Sequence, residues 1–199
     1  MDLFETKKYD ILSRSAKWDK PTQKIIEKRL WEIPKIVFFK KNQNLAEAIL
    51  DFLVPNENSL PVLNFLDDDI LKNRTIGYRY KNEPLAKEVW KLFMNEIELL
   101  SEKFFKKSFV QLSYLEQNSI MKEIRHGTSP SVGWSKIGDP EAIFRQLLSQ
   151  VAGIYYSQPF AWNEIGWAGP VYPESYFVQG CCLTEPWEPK EKECNYYDR

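Results

Sequence analysis

His126 is the only histidine in the chain, so neither a histidine-rich metal site nor a Ser-His-Asp triad can be assembled from these residues alone. It stands beside Gly127 at the end of an amphipathic stretch and reads as a polar residue at a helix C-terminus, where a cation suits the dipole. Cys181, Cys182 and Cys194 are the three cysteines. Their spacing makes no C-x-x-C pair and no fourth ligand accompanies them, so free thiols are expected rather than a soft-metal site or a strained adjacent disulfide. Asp67, Asp68 and Asp69 suggest a divalent cation, but the glycine and spaced carboxylates of an EF-hand loop are missing, and a solvated helix face is expected instead. Gly133, Gly138, Gly166 and Gly169 form neither a G-x-G-x-x-G nor a Walker sequence after a strand, so no nucleotide cradle is expected. Residue types that do chemistry are therefore present without a constellation to do it, and no catalytic, cofactor-binding or metal-binding residue is assigned in this chain.

Composition narrows the field further. With 27 basic against 28 acidic residues, the formal net charge of -1 removes the broad basic face that nucleic-acid binding requires. No apolar run approaches the roughly 20 residues that cross a bilayer, so no direct membrane insertion is expected. The opening stretch MDLFETKKYDILSRSAKWDK carries neither an apolar run of signal length nor paired arginines, from which a cytoplasmic location is expected. An odd number of cysteines gathered near the C-terminus fits a reducing compartment as well. At 199 residues, 43% of them hydrophobic and 15% aromatic, the chain has the material for one packed domain over residues 1–199.

The elements that would position these residues are helices. Asp19, Pro21 and Thr22 give a cap and an early proline, followed by Ile25, Ile26 and Leu30 at helical spacing and a stop near Pro34. Leu45, Ala48, Ile49, Phe52 and Leu53 make a second stripe that ends at Pro55. Pro61 opens a shorter third helix with Val62, Phe65, Leu66 and Ile70. The clearest stripe runs from Pro84 to about Lys106, where Ala86, Val89, Trp90, Phe93, Ile97, Leu100 and Phe104 recur every three or four residues. Ser113 caps a helix that carries Leu115, Ile120, Met121 and Ile124 and closes at Gly127, and Asp139-Pro140 starts another carrying Ile143, Phe144, Leu147, Leu148, Val151, Ala152 and Tyr155. Alternating runs of β-branched residues are few, so the expected class is all-α: an irregular helical bundle, with a helical body over about 19–157.

From residue 158 to 199 the chain changes character. Pro159, Pro170, Pro173, Pro186 and Pro189 interrupt it while Trp162, Trp167, Tyr172, Tyr176, Phe177 and Trp187 stay dense. An aromatic- and proline-rich extended segment is expected, wrapped on the bundle or on another protein, because a large apolar side chain gains about 1.5 to 3 kcal/mol on full burial. Trp162, Asn163, Glu164 and Trp167 suit an ordered loop: indoles bury area, while Asn and Glu bond backbone groups left open where a helix ends. Such a loop either seals the helical core or contacts a partner directly, and the residues admit both.

The string Tyr155-Tyr156-Ser157-Gln158-Pro159-Phe160-Ala161-Trp162-Asn163-Glu164-Ile165-Gly166-Trp167-Ala168-Gly169-Pro170, followed by Val171-Tyr172-Pro173-Glu174-Ser175-Tyr176, resembles the signature of the gluconate 2-dehydrogenase subunit 3 family, a pattern close to YY-x-x-P-x-x-WNEIG with a Gly-Pro turn and a tyrosine after it. Weaker likeness extends upstream through Phe52-Leu53-Val54-Pro55 and the tryptophan-bearing central helix, and Glu185-Pro186-Trp187-Glu188 also matches. The cysteines lie outside the pattern. The resemblance implies a non-catalytic small subunit that binds, stabilises or matures a glucose-methanol-choline type flavoprotein acting on a sugar or polyol, joined in some relatives by a cytochrome c subunit. FAD and the chemistry would then reside in the large subunit. Many relatives carry a twin-arginine export signal, which this sequence does not show. On this reading Tyr155, Tyr156, Pro159, Trp162, Asn163, Glu164, Ile165, Gly166, Trp167, Gly169, Pro170, Tyr172 and Tyr176 are the partner-interface candidates. The alternative is a helical self-associating or regulatory protein with no oxidoreductase partner.

Overall fold

The computed structural model describes residues 11–54, 59–74, 84–126, 138–175 and 185. Among these residues the regular elements are helices and no strand occurs, so the fold is all-α. The α-helices are α1 (Lys20–Trp31), α2 (Gln43–Leu53), α3 (Ser59–Leu71), α4 (Ala86–Phe105), α5 (Tyr114–His126), α6 (Pro140–Tyr156) and α7 (Pro159–Ile165), with short 3-10 turns at Ile11–Lys17, Lys40–Asn42 and Phe109–Gln111. Gly127, Gly133, Tyr176, Cys181, Cys182, Trp187 and Cys194 lie outside the described residues.

Helix starts follow local chemistry. The Asp19 carboxylate accepts the Thr22 N–H at 3.2 Å with Pro21 in the first turn of α1, and Asp139 accepts the Ala142 N–H at 3.2 Å ahead of α6. Each supplies an acceptor for a donor that no helical carbonyl reaches. At the start of α5 the Glu116 carboxylate accepts both the backbone N–H and the hydroxyl of Ser113, each at 2.8 Å. The backbone donor and then the hydroxyl hold the Glu116 carboxyl below its ordinary value.

By contact the chain forms two compact units. A middle unit spans residues 34–155, and a split unit joins residues 1–33 to residues 156–199. The sequence places its one internal division near residue 157, between helical body and extended wrap. The contacts assign the first helix to the later aromatic segment.

The middle unit is built around α4. Val89, Trp90, Phe93, Ile97 and Leu100 are buried at three- and four-residue spacing, which puts them on one face. Trp90 meets Phe39 and Phe93 edge-on, each at 5.7 Å between ring centres, and Phe93 meets Phe144 at 6.1 Å. The indole N–H of Trp90 donates to Gln150 Oε1 at 3.0 Å, tying α4 to α6 through a buried polar pair. The apolar stripe stops short of the expected length: Phe104 is about half exposed, and so is Leu115 at the start of α5 to a greater degree.

Asp67 departs most from expectation. It is fully buried, and its carboxylate accepts the N–H of Val37 at 3.0 Å and of Phe39 at 2.8 Å. The segment before α2 has no helical partner for those donors, so the carboxylate takes the part that another strand or turn would play. A solvated face is correct only for its neighbours, and only in part. Asp68 bonds Lys72 at 2.8 Å and also Arg74, and Asp69 bonds Arg74 at 2.9 Å. Burial pushes the Asp68 carboxyl up, but the Lys72 hydrogen bond and the Arg74 charge outweigh it and hold it below 3.8. At Asp69 burial wins over Arg74, and the carboxyl sits above that value.

Candidate functional site

The aromatic segment after α6 lies in the split unit. Where extended chain is expected from residue 158, one more short helix forms. Pro159 occupies the first helical position, where its missing N–H is no loss. Gly166 then ends α7 in the left-handed conformation, φ 66°, with its own N–H and that of Trp167 both directed at the Trp162 carbonyl, the latter at 2.9 Å. A residue with a Cβ adopts that conformation at a cost. The density of prolines therefore does not exclude helix here, because Pro159 sits at the helix start and Pro170 and Pro173 lie beyond its end.

Trp162 turns inward. Only 3% of it is exposed, its indole N–H donates to the Tyr156 carbonyl at 2.7 Å, and it shares a small core with Ile11, Trp18 and Ile26 that Leu12 and Leu30 flank. Asn163 Oδ1 accepts the Ile11 N–H at 2.9 Å. Arg14 donates to the Ala168 carbonyl at 3.3 Å and pairs with Glu174, which Lys17 also approaches at 3.6 Å. Arg29 of α1 donates to the Ser157 carbonyl at 2.9 Å. Gly169, at φ 76°, passes so close to the buried Ile11 that an added Cβ would lie 2.5 Å from its Cδ1. The WNEIG string is thus an inward indole, an amide that binds the N-terminal segment, two outward residues, and a glycine that turns the chain.

The thirteen interface candidates separate by exposure. Tyr155 is buried at the end of α6, and Pro159 and Trp162 are buried beyond it. Gly166 and Gly169 make the turns, Pro170 is half-buried, and Asn163 and Glu164 reach the surface. Tyr156, Ile165, Trp167 and Tyr172 present large apolar area to solvent, Trp167 at 41% and Tyr172 at 67%. The Trp167 ring stands edge-on to Trp162 at 4.7 Å, an interplanar angle of 88°, so an outward aromatic rests on an inward one. Tyr176 lies beyond the described residues.

Ile11, Arg14, Trp18 and Arg29 complete the site together with Ile26 of the α1 stripe, and the sequence assigns none of them to it. Trp18, the apolar residue just before the Asp19 cap, is the available signal, since a hydrophobic residue there commonly packs back onto the chain. Their partners are too distant in sequence for spacing to name. The assembled surface presents aromatic edges, two phenol rings and a carboxylate on a turn that rests on Trp162. Among the described residues no group of three His, Cys, Asp or Glu side chains is placed to hold a metal ion.

The family described as Gluconate 2-dehydrogenase subunit 3 matches residues 40–169. No curated protein and no solved structure matches the chain. The matched span begins at the turn before α2, takes in α4 and α6, and ends on the close-packed Gly169. It covers well over half of the sequence: the chain belongs to the gluconate 2-dehydrogenase subunit 3 family.

Proposed function

We propose that this chain is the accessory subunit of a dehydrogenase complex, binding and stabilising a glucose-methanol-choline type flavoprotein that oxidises a sugar or polyol and holds the FAD. Membership of a family named for a dehydrogenase subunit carries the reading. The partner meets the outward residues of the split unit, Tyr156, Ile165, Trp167 and Tyr172, while Trp162, Ile11 and Trp18 hold that surface in place. Aromatic anchors set on a buried base suit this role, because they lose little side-chain freedom when a partner closes over them.

Pull-down of tagged full-length chain from its own host, with flavin absorbance of the eluate as readout, tests the reading. Retention of a flavin-containing oxidoreductase is expected, weakened about thirtyfold or more by the double substitution Trp167→Ala, Tyr172→Ala if these behave as interface hot spots. Recovery of no flavoprotein, or equal recovery with the double variant, would sink it. Self-association of the chain through the same residues, seen by light scattering in place of flavoprotein capture, would favour a self-associating regulatory protein.

A further inference from the structure

Arg14 holds the outward surface in a way that the other polar ties of the split unit do not. Its side chain is only 9% exposed, and its guanidinium donates through Nη1 to the Ala168 carbonyl and through Nη2 to the Glu174 carboxylate. One side chain thus grips both ends of the stretch 168–174. Trp167, just outside that stretch, is fixed by other means: its N–H reaches the Trp162 carbonyl at 2.9 Å and its ring stands against the Trp162 ring. Gly169 is placed by its closeness to Ile11. Tyr172 has neither support, and it is the outward aromatic with the larger exposure, 67% against 41% for Trp167. Lys17 approaches the Glu174 carboxylate at 3.6 Å from a side chain that is 57% exposed, so it adds charge without fixing direction.

We infer that Arg14 is the positioning residue for Tyr172: by bridging Ala168 and Glu174 it sets the path of the chain between them and so the place from which the phenol ring meets a partner. The part of this that concerns a partner rests on the docking reading proposed above. A guanidinium presents its donors in a rigid planar fork, which fixes two acceptors relative to each other, whereas an ammonium on a flexible stem does not. Burial points the same way. Taking a charge out of water is costly, and well-packed apolar side chains in place of a buried ion pair often leave stability unchanged or higher. The geometry that this arginine imposes therefore accounts for its place better than the energy it adds.

Backbone order and partner capture, both on the full-length chain, test this together. The amide order parameters of Val171 and Tyr172 are expected near the roughly 0.85 of rigid backbone in the native chain and below about 0.6 in Arg14→Met, with α4 amides unchanged. Glu174→Ala releases one end of the stretch from a side chain that is 35% exposed, and its values are expected to fall between those two. In the flavoprotein pull-down, Arg14→Met is expected to weaken retention on the order of tenfold, because binding must then re-order a loosened segment. On a Tyr172→Ala background it is expected to weaken retention no further, whereas on a Trp167→Ala background the full loss remains. A merely structural role for Arg14 predicts the same added loss on both backgrounds, and that result overturns the inference. So do order parameters that stay at the native value in either variant. Should Arg14→Met fail to fold, Glu174→Ala carries the same comparisons. Retention of no flavoprotein by the native chain sinks the docking reading alone, and the order parameters then decide by themselves whether Arg14 positions Tyr172.

Discussion

The two units solve the same problem with different means. The middle unit buries stripes from five helices, with Trp90, Phe93, Ile97 and Leu100 at its centre and one buried carboxylate, Asp67, serving the chain that enters it. Among the described residues the split unit gathers a small apolar cluster, Ile11, Trp18, Ile26 and Trp162, with polar ties from Arg14, Arg29 and Asn163 across more than a hundred residues of sequence. A large core spreads its stability over many side chains, whereas a small one concentrates it in a few. The segment with the outward aromatics is therefore the one whose order hangs on single residues.

Trp162→Ala should expose that contrast most sharply. Removing the indole deletes a large member of that cluster together with its hydrogen bond to the Tyr156 carbonyl, and a loss of about 3 to 5 kcal/mol is expected. Hydrogen exchange would report it as early opening of α1 and α7 with α4 amides unchanged. Uniform acceleration across both units would mean that they unfold as one and that the contrast is false.

In the middle unit, Asp67→Ala is the comparable strike at a single point. It strands the buried Phe39 N–H, and a cost of about 2 to 4 kcal/mol is expected for losing two bonds to a carboxylate. Asp67→Asn keeps one acceptor and should cost roughly half as much by the same reasoning. Urea denaturation of both variants checks the ordering, and equal midpoints for the two would show that shape rather than hydrogen bonding decides the site.

Gly169→Ala comes next. A positive φ and a 2.5 Å approach to Ile11 act together, for an expected loss of about 2 to 3 kcal/mol. Ile11→Ala added to it should recover part of that loss, because the space is restored while the backbone strain stays. Simple addition of the two effects, measured in a double-mutant cycle, would show that the close approach carries no energy.

The smallest effect concerns the carboxylates at the end of α3. The stability that Asp68 contributes is present above 3.8 and is lost as pH falls through its lowered value. Asp69 has the opposite sign: its carboxyl is raised, so its ionisation between 3.8 and its folded value detracts from stability as pH rises. Arg74 serves both at an exposed position, and Arg74→Ala should cost less than about 1 kcal/mol at neutral pH. A thermal melt series from acid to neutral pH at low salt, where these exposed pairs are least screened, should show the Asp68→Asn chain with a flatter acid limb than the native one.

The legible parts of this molecule are those decided within one turn of chain. Asp19 and Asp139 announce α1 and α6 because a cap bonds a donor three residues away, and the α4 stripe reveals its buried face through spacing alone. Asp67 shows the limit. It falls on the apolar stripe of α3 with Leu63, Leu66 and Ile70, a sign that it is not on a solvated face, but its partners lie 28 and 30 residues upstream. The candidate site divides in the same way. The turn at Gly166 is readable from the string around it, whereas the binding of Asn163 to Ile11, 152 residues apart, leaves no periodic trace. Prolines mislead at Pro159 because their density argues against helix while the first helical position tolerates them.

The bond between Ile11 and Asn163 also has a timetable. A ribosome adding about 5 to 20 residues per second releases α1 on the order of ten seconds before the WNEIG string exists, and through that interval Trp18 and Ile26 have no Trp162 to lie against. The surface carried by Trp167 consequently assembles only after the residues of the middle unit, 34–155, have been made. Chains that stop before α7 lack the Trp162 on which Trp167 rests, so a partner that meets this surface, on the reading proposed above, meets only chains synthesised past that point.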